Sequence, residues 1–149
     1  MLKSKRLAVV VELAKREEEK SARKFEQARS AYQAELQKLQ DLKNYYDDYE
    51  AKFKAKTQGL RASDIANARS LLQQIVLVQD GQQAQIEKVK NVMEVAKQVW
   101  HKNHLKHEKL VELIKRYQTE EALTEEKHEQ KIIDEWVSQT HAQHSSRYH

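Results

Sequence analysis

Residues 57–64 read Thr57-Gln58-Gly59-Leu60-Arg61-Ala62-Ser63-Asp64, and this stretch decides the fold of the 149-residue chain. Gly59 favours the left-handed conformation that ends a helix. Ser63 or Asp64 can cap the next helix by accepting hydrogen bonds from its first N–H groups. Because a turn this short makes the flanking helices antiparallel neighbours, the stretch predicts a helical hairpin that turns at residues 57–64.

Upstream of the turn, apolar side chains recur with strictly alternating spacings of four and three residues. This heptad spacing is typical of a helix that packs along one narrow seam of a coiled coil. We therefore predict one helix over about residues 5–56, roughly 80 Å long. Its seam positions are Leu7, Val11, Ala14, Glu18, Ser21, Phe25, Ala28, Tyr32, Glu35, Leu39, Leu42, Tyr46, Tyr49 and Phe53.

Downstream of the turn, a second seam follows the same spacing and predicts a longer helix over about residues 65–138. Gln79, Gly81 and Gln82 weaken the seam, and Gly81 costs about 1 kcal/mol relative to alanine in a helix. We expect a soft spot there, and a frayed tail over residues 139–149. The seam positions are Ile65, Ala68, Leu72, Ile75, Gln79, Gln82, Ile86, Val89, Met93, Ala96, Trp100, Asn103, His107, Leu110, Ile114 and Tyr117.

The predicted fold class is all-α: one elongated, antiparallel two-helix coiled-coil hairpin over residues 1–149, with the longer helix second. Composition favours it, because two Gly and no Pro leave little to break a helix, and no Cys excludes disulfides and thiolate chemistry. The longest apolar run, Leu7–Val11, is too short to span a membrane. We therefore expect a cytoplasmic protein. The net charge of +4 comes from interspersed charges of both signs, which favours solvated helix faces over a nucleic-acid surface.

Catalysis is not expected from this chain, because a two-helix rod offers no concave, water-excluding site. We expect no enzyme activity, no cofactor and no metal. His101, His104 and His107 are spaced at i, i+3 and i+6, which turns them too far around the helix to converge on one ion. A pair such as His104 and His107 could at most bind a metal weakly.

Apolar residues in excess of the seam point to partner binding. Near the turn, Tyr45 lies beside the seam on the first helix, and Leu71 and Val78 widen the stripe of the second helix. At the other end, Ile132, Ile133 and Trp136 overhang the shorter helix, which leaves them without cover in the hairpin. Exposed apolar stripes usually mark interaction surfaces.

The sequence resembles the FliJ family of flagellar export proteins from Leu7 to about Val137. The matching features include Leu13-Ala14, Ala22-Arg23, the single glycine of the turn and Trp100. Further matches are the spaced motif Leu39-x-x-Leu42-x-x-Tyr45-x-x-x-Tyr49 and the run Glu125–Glu135, in which Gln130-Lys131-x-x-Asp134-Glu135 is the most specific element.

This resemblance implies a non-enzymatic, stalk-like coiled coil of the flagellar type III export apparatus, cytoplasmic and peripheral at the inner membrane. The implied partners are the export ATPase hexamer, the cytosolic domain of the export gate protein and export chaperones. The implied gate-binding residues are Leu42, Tyr45, Tyr49, Leu71, Ile75 and Val78. The implied ATPase-ring residues are Gln130, Lys131, Ile133, Asp134, Glu135 and Trp136.

Three alternatives stay open at this point. A stalk protein of a virulence type III secretion system would have the same architecture. A generic coiled-coil scaffold would bind no ATPase ring. A nucleic-acid or anionic-surface binder would show an affinity that falls steeply with salt.

Overall fold

The structure, a computed structural model, describes residues 2–56 and 59–147, with side chains up to residue 144. It contains two α-helices, α1 (Lys3–Ala55) and α2 (Ala62–Arg147), of 53 and 86 residues. No strand occurs in the described stretches. The all-α fold class with a longer second helix is confirmed.

Every position of the two predicted seams is buried or half-buried, so the heptad pattern identifies the packed face of each helix correctly. The most buried apolar residues are Ala14, Ala68, Ile75 and Ile86, at 4–9% exposure. None of the described side chains is fully buried. The core is therefore a thin stripe, as expected where one helix has only one other helix to cover it.

Contacts group the chain into two units. The first, here called the turn unit, comprises Glu19–Lys102. In this unit the rings of Phe25 and Trp100 stack with centroids 6.1 Å apart. Gln82 donates its Nε2 hydrogens to the carboxylate (2.6 Å) and the backbone carbonyl (2.9 Å) of Glu35. Phe25 contacts Trp100, whereas Glu35, which lies later in α1, contacts Gln82, which lies earlier in α2. The two helices therefore run antiparallel in this unit.

The second, here called the terminal unit, comprises Met1–Glu18 and Asn103–His149. Ser4 donates from its backbone N (3.0 Å) and its Oγ (2.5 Å) to the two carboxylate oxygens of Glu121. The Lys3 ammonium lies 5.7 Å from the centre of the Tyr117 ring. The helices are antiparallel in this unit too. Beyond Glu121 every described side chain of α2 is exposed, so the pairing with α1 stops there.

The turn differs in detail from its prediction. Gly59 has a φ of +85°, in the left-handed region, but it follows the last residue of α1 by four positions. Helix α2 starts at Ala62, so Arg61, not Ser63 or Asp64, is the N-cap residue. Asp64 instead reaches back from the third helical position and accepts a hydrogen bond from the Arg61 backbone N at 3.2 Å. Thr57 and Gln58 of the predicted turn lie outside the described residues.

The prediction of a frayed tail is wrong for residues 139–147, because α2 continues to Arg147. Neither Gly nor Pro follows Gly81 in the sequence, so no residue type that breaks helices occurs there. Helix α2 continues through Gly81, where the sequence predicts a soft spot and not a break. Residues 148 and 149 lie outside the described part.

The expectation of a single domain stays a prediction. Neither helix, over its described residues, has a segment long and apolar enough to cross a bilayer.

The two glycines form a matched pair for testing the backbone, because a Cβ at either position would meet nothing within 4 Å. The two glycines differ in backbone conformation, because only Gly59 has a positive φ angle. We expect Gly81→Ala to raise the free energy of unfolding by about 0.5–1 kcal/mol, because alanine loses less entropy in a helix. Gly59→Ala should lower it by about 1 kcal/mol, because its backbone is left-handed. Urea unfolding followed by circular dichroism measures both changes, and equal signs would contradict the assigned conformations.

Candidate docking surfaces

The six residues of the expected gate surface all lie in the turn unit, but they differ in accessibility. Tyr45 and Val78 are exposed, at 54% and 56%. Leu42, Tyr49 and Leu71 are half-buried. Ile75 is only 6% exposed, because it packs in the seam. Tyr45 and Val78 therefore offer most of the apolar area in this set, whereas Ile75 mainly supports the helix pair.

The structure adds two exposed apolar residues that the sequence reading missed. Leu77 is 64% exposed and Val76 40% exposed, directly before Val78. The signal was present in the sequence, because a run of consecutive apolar residues on an amphipathic helix cannot fit into one narrow seam. Val76 lines a shallow cleft with Tyr46 and Leu72, and Tyr49 lines another of about 320 Å³ nearer the turn.

The six residues of the expected ring surface lie on α2 in the terminal unit, beyond the last contact with α1. All six are exposed. Trp136 is 66% exposed and Ile133 59%, and Ile132 and Val137 add further apolar area. Trp136 also borders a shallow cleft of about 330 Å³ with Val137 and His141. The predicted overhang of uncovered apolar side chains is confirmed.

A polar cluster interrupts the apolar seam of the terminal unit. Its centre is Glu18, whose two carboxylate oxygens lie 2.7 Å from the Nδ1 atoms of His104 and His107. The other ring nitrogen of His104, Nε2, lies 3.0 Å from the Glu108 carboxylate. A neutral imidazole can donate only one hydrogen bond, so two carboxylates on one ring favour the doubly protonated cation.

The electrostatics of this cluster follow its geometry. The hydrogen bond to Glu18 raises the pKa of His104 above the ordinary value of 6.5, and the charge of Glu108 adds to the effect. Burial tends to raise the pKa of Glu18, but the hydrogen bonds from His104 and His107 outweigh it and leave that pKa below 4.5. The two histidines therefore bind a carboxylate across the seam. No group suited to hold a metal ion occurs among the described residues.

These features define the class of the protein: a two-helix coiled coil with a thin seam and apolar stripes exposed in both of its units. A family model described as "Flagellar FliJ protein" matches residues 3–146. The chain belongs to the FliJ family, whose members are non-catalytic, export-related components of the flagellum. Among curated proteins and solved structures, none matches the chain.

The cluster predicts a stability that depends on pH. A raised folded-state pKa means that His104 stabilises the fold at low pH and loses this contribution as pH rises through that pKa. Glu18 acts in the opposite sense, because its lowered pKa adds stability above its unfolded pKa. Thermal unfolding should therefore show a melting temperature that falls as pH rises from about 6.5, the ordinary histidine pKa, through the raised pKa of His104.

His104→Gln should flatten this dependence, because glutamine carries no proton to lose. His128→Gln is the matched control, since His128 lies exposed on α2 beyond the paired region. A fall in melting temperature that is the same in both variants would contradict the assignment to His104.

Proposed function

We propose that this FliJ-family chain is the stalk-like coiled coil that joins the flagellar export ATPase to the export gate. Its terminal unit enters the ATPase ring and promotes assembly of the hexamer. The gate surface of its turn unit contacts the cytosolic domain of the gate protein. It acts in the cytoplasm, peripherally at the inner membrane, binds export chaperones and catalyses no reaction itself.

The observation that carries the ring assignment is the uncovered stripe at the end of α2. Ile133 and Trp136 expose more than half of their surface on a helix that no longer has α1 beside it. A large aromatic side chain surrounded by charges of both signs is typical of a residue that anchors a protein interface. Lys131, Asp134 and Glu135 supply those charges within one turn or two of Trp136.

The gate assignment is supported by a second apolar surface in the other unit. Tyr45 and Val78 are exposed, and Leu77 extends the same apolar run. Tyrosine contributes a large contact area and one hydrogen-bonding group at low entropic cost. Because the gate surface and the ring surface belong to different contact units, substitutions in one should leave binding to the other partner unchanged.

The ring assignment predicts a loss of ATPase assembly without a loss of fold. Trp136→Ala should weaken binding to the ATPase by about 1–3 kcal/mol, which is about 5- to 150-fold, because a hot-spot aromatic is removed. Removing residues 125–149 should abolish stimulation of ATP turnover and hexamer assembly. Helicity per residue and melting temperature should change little, because no described side chain beyond Glu121 is covered by α1.

Leu77→Ala is the control for the tryptophan variant, since Leu77 is as exposed as Trp136 but lies in the turn unit. Assembly is followed by sedimentation and turnover by phosphate release, on proteins of matched helicity. If the truncated protein still assembles the ATPase as well as the full chain, the ring assignment is wrong and a generic scaffold becomes the better description.

The gate assignment predicts a complementary result. Tyr45→Ala combined with Val78→Ala should weaken binding to the gate cytosolic domain about tenfold, because both residues expose apolar area that a partner would bury. Binding to the ATPase should stay within about twofold of the unchanged protein. Isothermal calorimetry with each partner measures both affinities.

Ile75→Ala serves as the contrasting variant. Its side chain is buried in the seam, so it should lower stability by about 2 kcal/mol or more. If the double variant Tyr45→Ala/Val78→Ala keeps its helicity but loses equal affinity for the gate domain and for the ATPase, the two partners do not bind separate surfaces.

A further inference from the structure

A groove of about 560 Å³ runs between the helices of the turn unit, and neither proposed surface includes it. Its α2 wall carries three exposed valines: Val92 and Val95 are each 61% exposed, and Val99 is 49% exposed. Its α1 wall is more polar, because it carries Ser21, Lys24 and Gln27. The lining residues are Ser21, Lys24, Gln27, Ala28, Val92, Val95, Ala96 and Val99.

The valines follow a heptad pattern of their own. Lys88, Val92, Val95, Val99 and Lys102 are separated by four, three, four and three residues. This stripe runs beside the seam, whose residues Val89, Met93, Ala96 and Trp100 are half-buried. A helix with two parallel heptad stripes can pack against two helices at once. The seam accounts for the first stripe, and the second has no cover among the described residues.

The shape of the site favours a helix over other occupants. A groove bounded by two helices is concave, and a third helix lying along it would contact both walls at the usual interaxial distance of about 8–10 Å. A bilayer would need the valines on a protruding face, from which they could enter the interfacial region. Val95 instead shares the groove with Lys24 and Gln27 of the opposite helix.

The charge around the groove determines the kind of helix that fits. Lys20 and Lys24 lie on the α1 side, and Lys88 and Lys102 lie at the two ends of the valine stripe. All four are exposed, and none takes part in an ion pair in the described part of the chain. Lysines that flank an apolar stripe attract carboxylates at the edges of a partner helix. A second copy of this groove would bring lysines against lysines.

We propose that the groove binds an acidic amphipathic α-helix of another protein. The valine stripe buries the apolar face of that helix, and the four lysines pair with its flanking carboxylates. This surface is additional to the gate and ring surfaces, so the proposal stands independently of the function proposed above.

The test uses a synthetic amphipathic peptide of about 18 residues, with leucines on one face and glutamates on either side of it. A second peptide replaces every glutamate by lysine. Binding to the full-length protein is measured by calorimetry, and backbone amide NMR shifts locate the site. We expect the acidic peptide to bind, with shifts concentrated in residues 21–28 and 92–99, and the basic peptide to bind at least about tenfold more weakly.

Two kinds of variant make the test specific. Val95→Ser should weaken acidic-peptide binding by about fivefold or more, whereas Val9→Ser should not, because Val9 is equally exposed but lies in the terminal unit. Combining Lys24→Glu with Lys88→Glu should reverse the preference, so that the basic peptide binds more tightly than the acidic one. Tighter binding of the basic peptide by this double variant would be a gain of binding, which a misfolded protein could not produce.

Other results would overturn the proposal. These are no binding of the acidic peptide, shifts located outside the groove, or equal effects of Val95→Ser and Val9→Ser. Vesicles containing phosphatidylserine are tested in parallel. Vesicle binding that Val95→Ser abolishes, without peptide binding, would assign the groove to a membrane. A concentration-dependent dimer that Val95→Ser disrupts would assign it to a second copy of the chain.

Discussion

Burial of one narrow stripe on each helix is the interaction on which the rest of this structure depends. Two helices can cover only one face of each other, so the seam supplies nearly all of the apolar burial that offsets the entropy of ordering the chain. Small residues such as Ala14 and Ala68 let the backbones approach at the most buried points. Most described side chains outside the seam are exposed, which leaves several faces of each helix open to partners.

Polar contacts across the seam determine how the two helices align. An apolar heptad stripe alone tolerates a slip of seven residues, because leucine or valine can replace one another against the same surface. Ser4 with Glu121, His104 with Glu18, and Gln82 with Glu35 do not tolerate it, because a slip would leave a half-buried carboxylate without its donors. The residues that weaken the apolar pattern therefore specify the register.

The sequence predicts the seam well, because residues spaced alternately by three and four positions lie on one face of an α-helix. Their positions therefore follow from the local sequence alone. It predicts the partners of polar seam residues poorly, since these depend on which residue lies opposite: Gln82 interrupts the apolar pattern, yet it binds Glu35. Helix ends are also harder to predict. Asp64 suits the N-cap or the third helical position equally well, and α2 continues past residue 138 because no residue type stops it. Val95 was missed because it lies one position outside the stripe that α1 covers.

The exposed apolar stripe at the end of α2 and the valine stripe of the turn unit have different charged residues around them. This difference in charge favours a different kind of partner for each stripe. Acidic residues at positions 125, 126, 129, 134 and 135 lie on the part of α2 that carries Trp136, with Lys127 and Lys131 among them. The valine stripe of the turn unit has lysines at both ends instead. Apolar contact alone discriminates little between helices of similar shape, whereas a carboxylate against a carboxylate is unfavourable. An acidic helix that fits the valine groove is therefore repelled from the end of α2, so one small chain can present both surfaces without exchanging their partners.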